Sequence, residues 1–341
     1  MRRSDTKRLN GESDRSARTV KKMKILVTGS AGFIGYHLCD LLLKRGHEVF
    51  GVDAYTPYYD VALKQNRHAR LIGLNGFDSE KLQLEDQEAL SRVFNSFKPN
   101  VVIHLAAQAG VRYSIENPEA YVSSNLVGTS NLLEQVKARE IQHFMFASTS
   151  SVYGGLDKMP FCELDPTDNP MSFYAATKKA GEVLSHSYAH LFDIPTTCFR
   201  FFTVYGPWGR PDMALFLFTK AIVEGKPIEI YNHGKMIRDF TYIDDIVESL
   251  IKIINKPATL NQEFDFNNPD PSTSWAPFRI FNIGNSKPTN LMDYIKAIEN
   301  SLNKVSVKKF MDIQPGDVTE TSANTELLEN WIEFKPNTSI E

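Results

Sequence analysis

Tyr174 and Lys178 stand four residues apart, a spacing that puts a phenol and an ammonium on one face of a helix, one turn from each other. A tyrosine becomes a base near pH 7 only if its pKa falls by about 3 units, or about 4 kcal/mol of preferential phenolate stabilisation. Lys178 and the cation of a nearby nicotinamide cofactor would supply that stabilisation. The pair therefore predicts a tyrosine base at a hydride-transfer site, whereas a lone pair at this spacing usually marks an ordinary helix face.

Hydroxyl side chains follow the apolar run that ends at Ala147. Residues 148–151, Ser-Thr-Ser-Ser, would gather at the carboxyl end of a parallel strand, where the sites of α/β proteins form. Thr149 would hydrogen-bond a substrate hydroxyl there and relay its proton to Tyr174. A serine-rich stretch is also common in plain turns, so this interpretation depends on the other motifs.

Three glycines, Gly29, Gly32 and Gly35, form a GxxGxxG pattern directly before an amphipathic stretch and directly after the apolar run 25–27. Glycines permit a tight turn and a close approach of the backbone to a pyrophosphate, and the free N–H groups of the following helix point at the phosphates. The three glycines alone would be ordinary turn residues. Their place between a strand and a helix favours a dinucleotide site.

Asp53 lies 18 residues beyond Gly35, at the end of the next apolar run. A carboxylate there accepts hydrogen bonds from the adenosine ribose and repels a 2′-phosphate, and no Lys or Arg occurs in the ten residues after it. We therefore expect NAD rather than NADP. The other interpretation of Asp53 is a turn residue that ends a strand.

Short apolar runs alternate with amphipathic stretches from Met23 onward, which predicts alternating strands and helices. Continuous apolar runs indicate strands buried on both faces, hence a parallel sheet covered by helices. The fold class we predict is α/β, a Rossmann-type doubly wound parallel sheet with a smaller C-terminal substrate-binding lobe. Further strands are expected at residues 101–106, 143–147 and 196–201, and helices at about 117–138 and 172–191.

Three segments follow from these patterns. Residues 1–22 carry eight Lys or Arg against three Asp or Glu and predict a disordered basic extension. Residues 23–204 are expected to form the NAD-binding domain, with later segments around 237–255 and 278–285 returning to it. The rest of residues 205–341, where prolines become frequent, is expected to form the substrate lobe.

Composition excludes several classes of protein. The chain has 341 residues, of which 42% are hydrophobic and 23% charged, as in ordinary globular proteins. Beyond residue 22 the chain has 30 basic against 38 acidic residues, which argues against a nucleic-acid partner. No run approaches the roughly 18 to 20 apolar residues of a membrane helix, so no membrane partner is expected.

The cysteines favour a reducing, cytoplasmic compartment. Cys39, Cys162 and Cys198 are odd in number, far apart and without CxxC or Cys/His spacing. They therefore predict neither a disulfide framework nor a metal site.

Longer stretches carry a family resemblance. From Met23 to its C-terminus the sequence resembles the extended short-chain dehydrogenases/reductases, specifically their nucleotide-sugar epimerases and dehydratases, and most closely the UDP-glucuronate 4-epimerases. The resemblance is carried by residues 105–114, 174–179, 200–214 and 238–245. One departure is Gln83, where the family usually has an aspartate near the adenine.

The resemblance implies a role for individual residues. Tyr174 would be the base, Lys178 its partner and a ligand of the nicotinamide ribose, and Thr149 the relay. The cofactor site would comprise Tyr174 and Lys178 together with Gly29, Gly32, Phe33, Ile34, Gly35, Asp53, Leu84, Leu105, Ala106, Ala107 and Asn125. Arg238 and Asp317 would hold the UDP, and the expected substrate contacts further include Arg112, Ser150, Ser151, Thr203, Arg210 and Met213.

The resemblance also indicates the reaction. The related dehydratases place an Asp-Glu pair or a Glu just after the hydroxyl of this loop, whereas this chain has Ser150 and Ser151. Elimination would lack its acid and base, so we expect C4 epimerisation of UDP-glucuronate to UDP-galacturonate through a 4-keto intermediate, with NAD regenerated in each cycle.

A 4-keto uronic acid is a β-keto acid and can lose CO₂. An epimerase must therefore hold the carboxylate out of alignment with the carbonyl, for which Ser150, Ser151 and Thr203 are the favoured direct contacts. Arg112 and Arg210 would add a guanidinium fork or a longer-range charge. The alternatives are that Arg210 binds the UDP phosphates and that Arg112 is a surface residue.

Other functions stay open at the level of sequence. They are a 4-epimerase of a neutral or N-acetylated UDP-hexose, a UDP-glucuronate decarboxylase, and a non-catalytic NAD-binding protein on the same fold. The resemblance further implies a homodimer whose four-helix interface includes the Tyr174 helix.

Overall fold

The computed structural model describes residues 22–314 and 316–341. The extension expected over residues 1–22 therefore lies outside the described residues, except for Lys22, whose ammonium pairs with Glu48 at 2.8 Å.

Seven parallel strands form the central sheet. In spatial order the strands are β10, β6, β5, β4, β1, β2 and β3, and every pairing among them is parallel. Because the order reverses between β1 and β4, a crevice opens there at the carboxyl edge of the sheet. The strands are β1 (Lys24–Thr28), β2 (Glu48–Asp53), β3 (Phe77–Lys81), β4 (Val101–His104), β5 (His143–Thr149), β6 (Thr196–Phe201) and β10 (Phe278–Ile283).

Helices cover both faces of this sheet. They are α1 (Phe33–Lys44), α2 (Val61–Ala69), α3 (Gln87–Phe97), α4 (Tyr113–Glu116), α5 (Pro118–Tyr121), α6 (Gly128–Lys137), α7 (Phe173–Phe192), α9 (Ile243–Ile254) and α11 (Glu326–Ile332). A π-helical segment, Val122–Val127, joins α5 to α6. The predicted helices at 117–138 and 172–191 are thus confirmed, the first with a change of helical pitch inside it.

Two apolar cores lie on opposite sides of the sheet. One joins the strands to α1, α9 and α11, and the other joins them to α3, α6 and α7. Because both faces are covered, all seven residues of β5 are buried, which is why the strands read as continuous apolar runs in the sequence. The Rossmann-type α/β class is confirmed.

The smaller lobe is built on two short sheets. One contains β7 (Thr203–Tyr205), β9 (Ile237–Tyr242) and β11 (Pro288–Asn290), and the other contains β8 (Ile228–Ile230) and β12 (Lys308–Phe310). Helices α8 (Ala214–Val223) and α10 (Leu291–Leu302) pack with them around the rings of Phe240 and Tyr294, which are stacked 3.9 Å apart.

The chain passes between the two parts more than once. It leaves the large sheet at the end of β6, enters β7 two residues later, and returns through α9, which packs on α1, and through β10. The domain limits given above stay a prediction. Within the described ranges, no helix is long and apolar enough to cross a membrane.

Candidate active site

The glycine turn is too crowded for side chains. Gly29 has φ +74°, and a Cβ on it would lie 2.8 Å from the amide nitrogen of Ala106. A Cβ on Gly35 would lie 2.0 Å from the carbonyl oxygen of Gly29. Gly32 caps α1, and residues 32–35 at the start of this helix line the cleft that reaches Tyr174. Close backbone approach at a helix N-terminus is the geometry that a pyrophosphate requires.

Asp53 braces this turn from the end of β2. Its Oδ2 accepts the amide of Ala31 at 3.0 Å and its Oδ1 accepts the amide of Tyr55 at 2.8 Å. The carboxylate also lines the main cleft, a cavity of about 430 Å³ that runs from the glycine turn to Tyr174. Asp53 is therefore placed for the ribose contact that the sequence predicts, and it also stabilises the turn.

The wall of the cleft comes from the segment after β4. Leu105, Ala106 and Ala107 line it, as do Phe33 and Ile34 at the start of α1. A side cavity of about 160 Å³ next to Asp53 is lined by Gln83 and Leu84.

Asn125 lies behind this wall rather than in it. The side chain is buried, with 3% of its surface exposed. Its Oδ1 accepts the amide of Gln108 at 2.8 Å, and its Nδ2 donates to the Gln108 carbonyl and to Thr177 Oγ1. The residue expected to contact the cofactor thus ties the wall to α7.

Tyr174 lies in the first turn of α7, which begins after the cap residue Ser172. Burial raises the pKa of Tyr174, while the positive charge of Arg210 and a hydrogen bond with Thr149 act in the opposite direction. Lys178 follows one turn later, with its Nζ 4.5 Å from the centre of the Phe146 ring. Burial lowers the pKa of Lys178 to about 8. Tyr174, Lys178 and Thr149, the predicted base, partner and relay, thus line the same cleft.

The hydroxyl loop follows β5 directly. Thr149 Oγ1 lies 3.2 Å from both the amide and the hydroxyl of Ser151, and residues 150–153 form one turn of 3₁₀ helix. Ser150, Ser151 and Thr203 line the main cleft and also a second cavity of about 160 Å³. Three hydroxyl-bearing residues therefore stand where the two cavities meet.

Arg238 and Asp317 line that second cavity together. The guanidinium of Arg238 donates to the carbonyls of Val318 at 2.7 Å and Thr319 at 3.1 Å, and burial lowers its pKa. Arg238 thus organises the segment that carries Asp317, as well as facing the cavity.

Arg210 and Arg112 have different surroundings. Arg210 lines the main cleft with Met213 and forms a two-point ion pair with Asp212. Arg112 is exposed, and its guanidinium lies over the ring of Tyr231 at 5.5 Å, so it lies outside the residues that line the two cavities. The surface alternative for Arg112 is the one that this placement favours.

Several residues of the cleft escape sequence reasoning. Tyr58 donates to Asp212 Oδ2 at 3.1 Å and so joins the loop after β2 to the Arg210 segment. Lys64 lines the same cleft from α2, and its Nζ donates hydrogen bonds to Thr56. It is the eleventh residue after Asp53 and so lies just outside the ten-residue stretch that has no Lys or Arg. The sequence signal that could have pointed to this part of the cleft is the pair of basic residues at 64 and 67, which lie on one face of α2.

The described residues contain no group of three or more His, Cys, Asp or Glu side chains that could hold a metal ion.

Comparisons with known proteins bear on these features. The model of the NAD dependent epimerase/dehydratase family matches residues 25–268. The chain is 54% identical over 319 residues to the protein CapI of Staphylococcus aureus, and the alignment covers 94% of this chain and 95% of that protein. It is 52% identical over 320 residues to the probable UDP-glucuronate 4-epimerase of Rhizobium meliloti, with 94% of each chain covered. A crystal structure of UDP-glucuronic acid 4-epimerase from Bacillus cereus with UDP-glucuronic acid and NAD is similar at a TM-score of 0.82 and 34% identity, covering 93% of this chain and 95% of that one.

Asp53→Asn tests the ribose contact. The substitution keeps one oxygen for the turn but removes the charge, so we expect NAD affinity to fall by about tenfold or more, the scale of a hydrogen bond to a charged group. Calorimetric titration with NAD measures this. Asp40→Asn removes a surface carboxylate that pairs with Lys44 and should leave NAD affinity unchanged. Wild-type affinity in Asp53→Asn would exclude the contact.

Proposed function

Because the chain belongs to the NAD-dependent epimerase/dehydratase family, we propose that it is a UDP-glucuronate 4-epimerase, which interconverts UDP-glucuronate and UDP-galacturonate with NAD as cofactor. The family match confirms the resemblance seen in the sequence. The observation that carries the proposal is the meeting of Tyr174, Lys178 and Thr149 with three substrate-facing hydroxyl residues at the junction of the two cavities.

The cleft fits NAD on the evidence of its own residues. The glycine turn leaves room only for backbone, and Asp53 lies at the end of β2. Bound there, NAD would supply a reversible hydride acceptor for C4 and, in its oxidised form, a positive charge that favours the phenolate of Tyr174. No second redox substrate is then consumed.

Tyr174 handles the proton of the C4 hydroxyl. Its burial favours the protonated phenol, so the phenolate depends on positive charge from neighbours and from bound ligands. Thr149 lines the same cleft as Tyr174 and acts to lower the pKa of the phenol, so we assign to it the relay of the proton between the sugar and Tyr174. The same proton returns when the 4-keto sugar is reduced on its other face.

The second cavity holds the UDP in this proposal. Arg238 supplies positive charge for the diphosphate, and Asp317 accepts hydrogen bonds beside it. Arg210 lines the main cleft with Asp212 as its ion-pair partner, so an anionic group of the substrate would compete with Asp212 for the guanidinium.

The hydroxyl loop decides what happens to the 4-keto uronate. Ser150, Ser151 and Thr203 offer hydrogen bonds to the carboxylate and can hold it out of alignment with the C4 carbonyl, which suppresses loss of CO₂. Neither position after Thr149 has an ionisable side chain, so the loop lacks the acid and base that elimination of water requires. Epimerisation is the outcome that remains.

Incubation with UDP-glucuronate and no added reductant tests the function. We expect UDP-galacturonate to form at constant total nucleotide sugar, as resolved by chromatography or proton NMR. A UDP-pentose product would instead show decarboxylation. Turnover of a neutral UDP-hexose, with UDP-glucuronate untouched, would remove the carboxylate role from Ser150, Ser151 and Thr203.

Tyr174→Phe tests the base. We expect kcat to fall by about 10²- to 10⁴-fold, the usual contribution of a general base, while NAD stays bound, because the phenol hydroxyl is lost and the turn is untouched. The matched control is Tyr188→Phe on the same helix, whose hydroxyl donates to Glu134 on the surface. Full activity in Tyr174→Phe would refute the assignment.

A homodimer is the assembly that we propose. Val183 and Leu191 on α7 are 58% and 65% exposed, and Val122 and Val127 beside α6 are 41% and 44% exposed. Helices α6 and α7 contact each other, so these side chains belong to neighbouring helices. A second copy of the same two helices would cover them as a four-helix interface.

Val183→Arg tests this interface. A charge in the middle of an apolar helix face should convert the dimer to a monomer, which light scattering after gel filtration measures. Val305→Arg, at an 86% exposed residue of the smaller lobe, should leave the dimer intact. A monomeric wild type, or a dimeric Val183→Arg variant, would contradict the proposal.

A cytoplasmic location is proposed on the state of the thiols. Cys39, Cys162 and Cys198 are all free, and Cys39 and Cys198 are buried. This fits a reducing compartment, and cell fractionation tests it.

A further inference from the structure

A buried carboxylate on α7 has no part in the steps described above. Glu182 has 1% of its side chain exposed. It receives a two-point ion pair from Arg200, with Nε to Oε1 and Nη2 to Oε2 both at 2.9 Å. Ser148 Oγ donates to Oε1 at 2.6 Å, and Lys179 Nζ lies 3.3 Å from Oε2. Every contact of this carboxylate is with a residue next to the catalytic set.

The partners of Glu182 come from the three elements that carry the site. Glu182 itself lies on α7, one helical turn after Lys178 and two turns after Tyr174. Ser148 immediately precedes Thr149 on β5, and it pairs in register with Arg200 on β6. The strand that carries Arg200 leads into Thr203. One ion pair therefore joins the helix of the base to the strands of the relay and of the substrate hydroxyl.

Arg200 extends this connection beneath the hydroxyl loop. Its guanidinium lies 4.8 Å from the centre of the Tyr153 ring, at the end of the turn that holds Ser150 and Ser151. Tyr153 donates to Asn282 Oδ1 at 2.7 Å. The loop is thus supported from behind by the same guanidinium that holds Glu182.

A buried ion pair is a weak source of net stability, because desolvation of both charges offsets their attraction. The pair also lies one turn from Lys178, where charges interact strongly because little water separates them. Glu182 and Arg200 therefore matter most for the position and charge of the catalytic groups. On the proposed epimerase function, we propose that Glu182 and Arg200 are positioning residues, which hold α7 in register with the ends of β5 and β6 and balance the charge beside Lys178 and Tyr174.

Titratable groups face the catalytic pair from each neighbouring element. Burial lowers the pKa of His104 to about 3 and raises that of Cys198 well above its usual value, so both are neutral near pH 7. Burial alone would raise the pKa of Glu182, but Arg200, Lys179 and Ser148 outweigh it and lower the pKa. The groups near the catalytic pair are Glu182 on the same helix, His104 on β4, Cys198 on β6, Tyr121 on α5 and Arg210 in the loop after β7, while Arg200 on β6 and Lys179 on α7 face Glu182.

Opposite charge changes give opposite pH shifts. Glu182→Gln adds one net positive charge, which lowers the pKa of both Lys178 and Tyr174. In a plot of kcat against pH, the limb set by Lys178 and the limb set by Tyr174 therefore both move to lower pH. Arg200→Gln adds one net negative charge and moves both limbs to higher pH. At an effective dielectric of about 20, the limb set by Lys178 should move by about one pH unit or more, and the limb of the more distant Tyr174 by less.

Two further variants separate charge from geometry. Arg200→Lys keeps the charge but loses the two-point contact, so kcat should fall about tenfold with both limbs in place. The double variant Glu182→Gln/Arg200→Gln removes both buried charges of the ion pair and leaves the net charge unchanged; it should fold even where the single variants do not, and its limbs should return to the wild-type positions. Glu299→Gln breaks an ion pair with Lys308 in the smaller lobe and should move neither limb.

The readouts distinguish failure of this proposal from failure of the function. Wild-type turnover of UDP-glucuronate tests the function first. A tyrosinate absorbance titration of the NAD complexes, corrected with Tyr174→Phe, then reports the same shifts without turnover. Shifts of the same sign in Glu182→Gln and Arg200→Gln would overturn the proposal, as would a double variant whose limbs stay displaced, or a loss of kcat with no shift at all.

Discussion

Helix α7 lies so close to β5 that Gly181 has no room for a side chain, since an added Cβ would sit 2.2 Å from Phe146 Cζ. The face of the same ring lies under the ammonium of Lys178 at 4.5 Å. One residue past Gly181, Glu182 bonds Ser148 on β5. The distance between Tyr174 on α7 and Thr149 at the end of β5, the proposed base and relay, is therefore set by packed side chains and buried hydrogen bonds, and no flexible loop intervenes.

Burial acts on the two catalytic groups in opposite directions. It lowers the pKa of Lys178 and raises that of Tyr174, because each group is pushed towards its neutral form. Burial of the two groups therefore works against the ammonium and phenolate forms that the proposed reaction uses. Positive charge from Arg210 favours the phenolate of Tyr174, whereas the negative charge of Glu182 favours the ammonium of Lys178.

Arg67 joins the cofactor turn to the substrate segment. Its buried guanidinium donates to the carbonyl of Ala31 in the glycine turn and to the carbonyls of Trp208 and Gly209. The segment that ends at Arg210 is thus anchored on the dinucleotide side of the crevice. Two sites that are far apart in sequence share one set of hydrogen bonds, so the position of Arg210 depends on the same contacts as the turn.

Local pattern was sufficient for much of this molecule. The apolar runs predicted the parallel strands, and the spacing from Tyr174 to Lys178 predicted two groups on one face of a helix, because each depends on residues within a strand or a helical turn. The glycine turn and Asp53 were found for the same reason.

The resemblance added what local pattern lacks. It supplied the placement of Arg238 and Asp317 at the UDP, and the choice of epimerisation over elimination. These depend on elements that are distant in the chain, and a single sequence without the family carries no signal for them.

By itself, the sequence determined the elements and the nucleotide motif, and it carries the prediction that Tyr174 is the base. Only the tertiary structure decided that Asn125 turns away from the cleft towards Gln108 and Thr177, that Arg112 stacks on Tyr231, and that Glu182 meets Arg200. The physical reason is that a side chain's partner is set by the packing of separate elements, whereas its helix or strand is set by its neighbours in the chain.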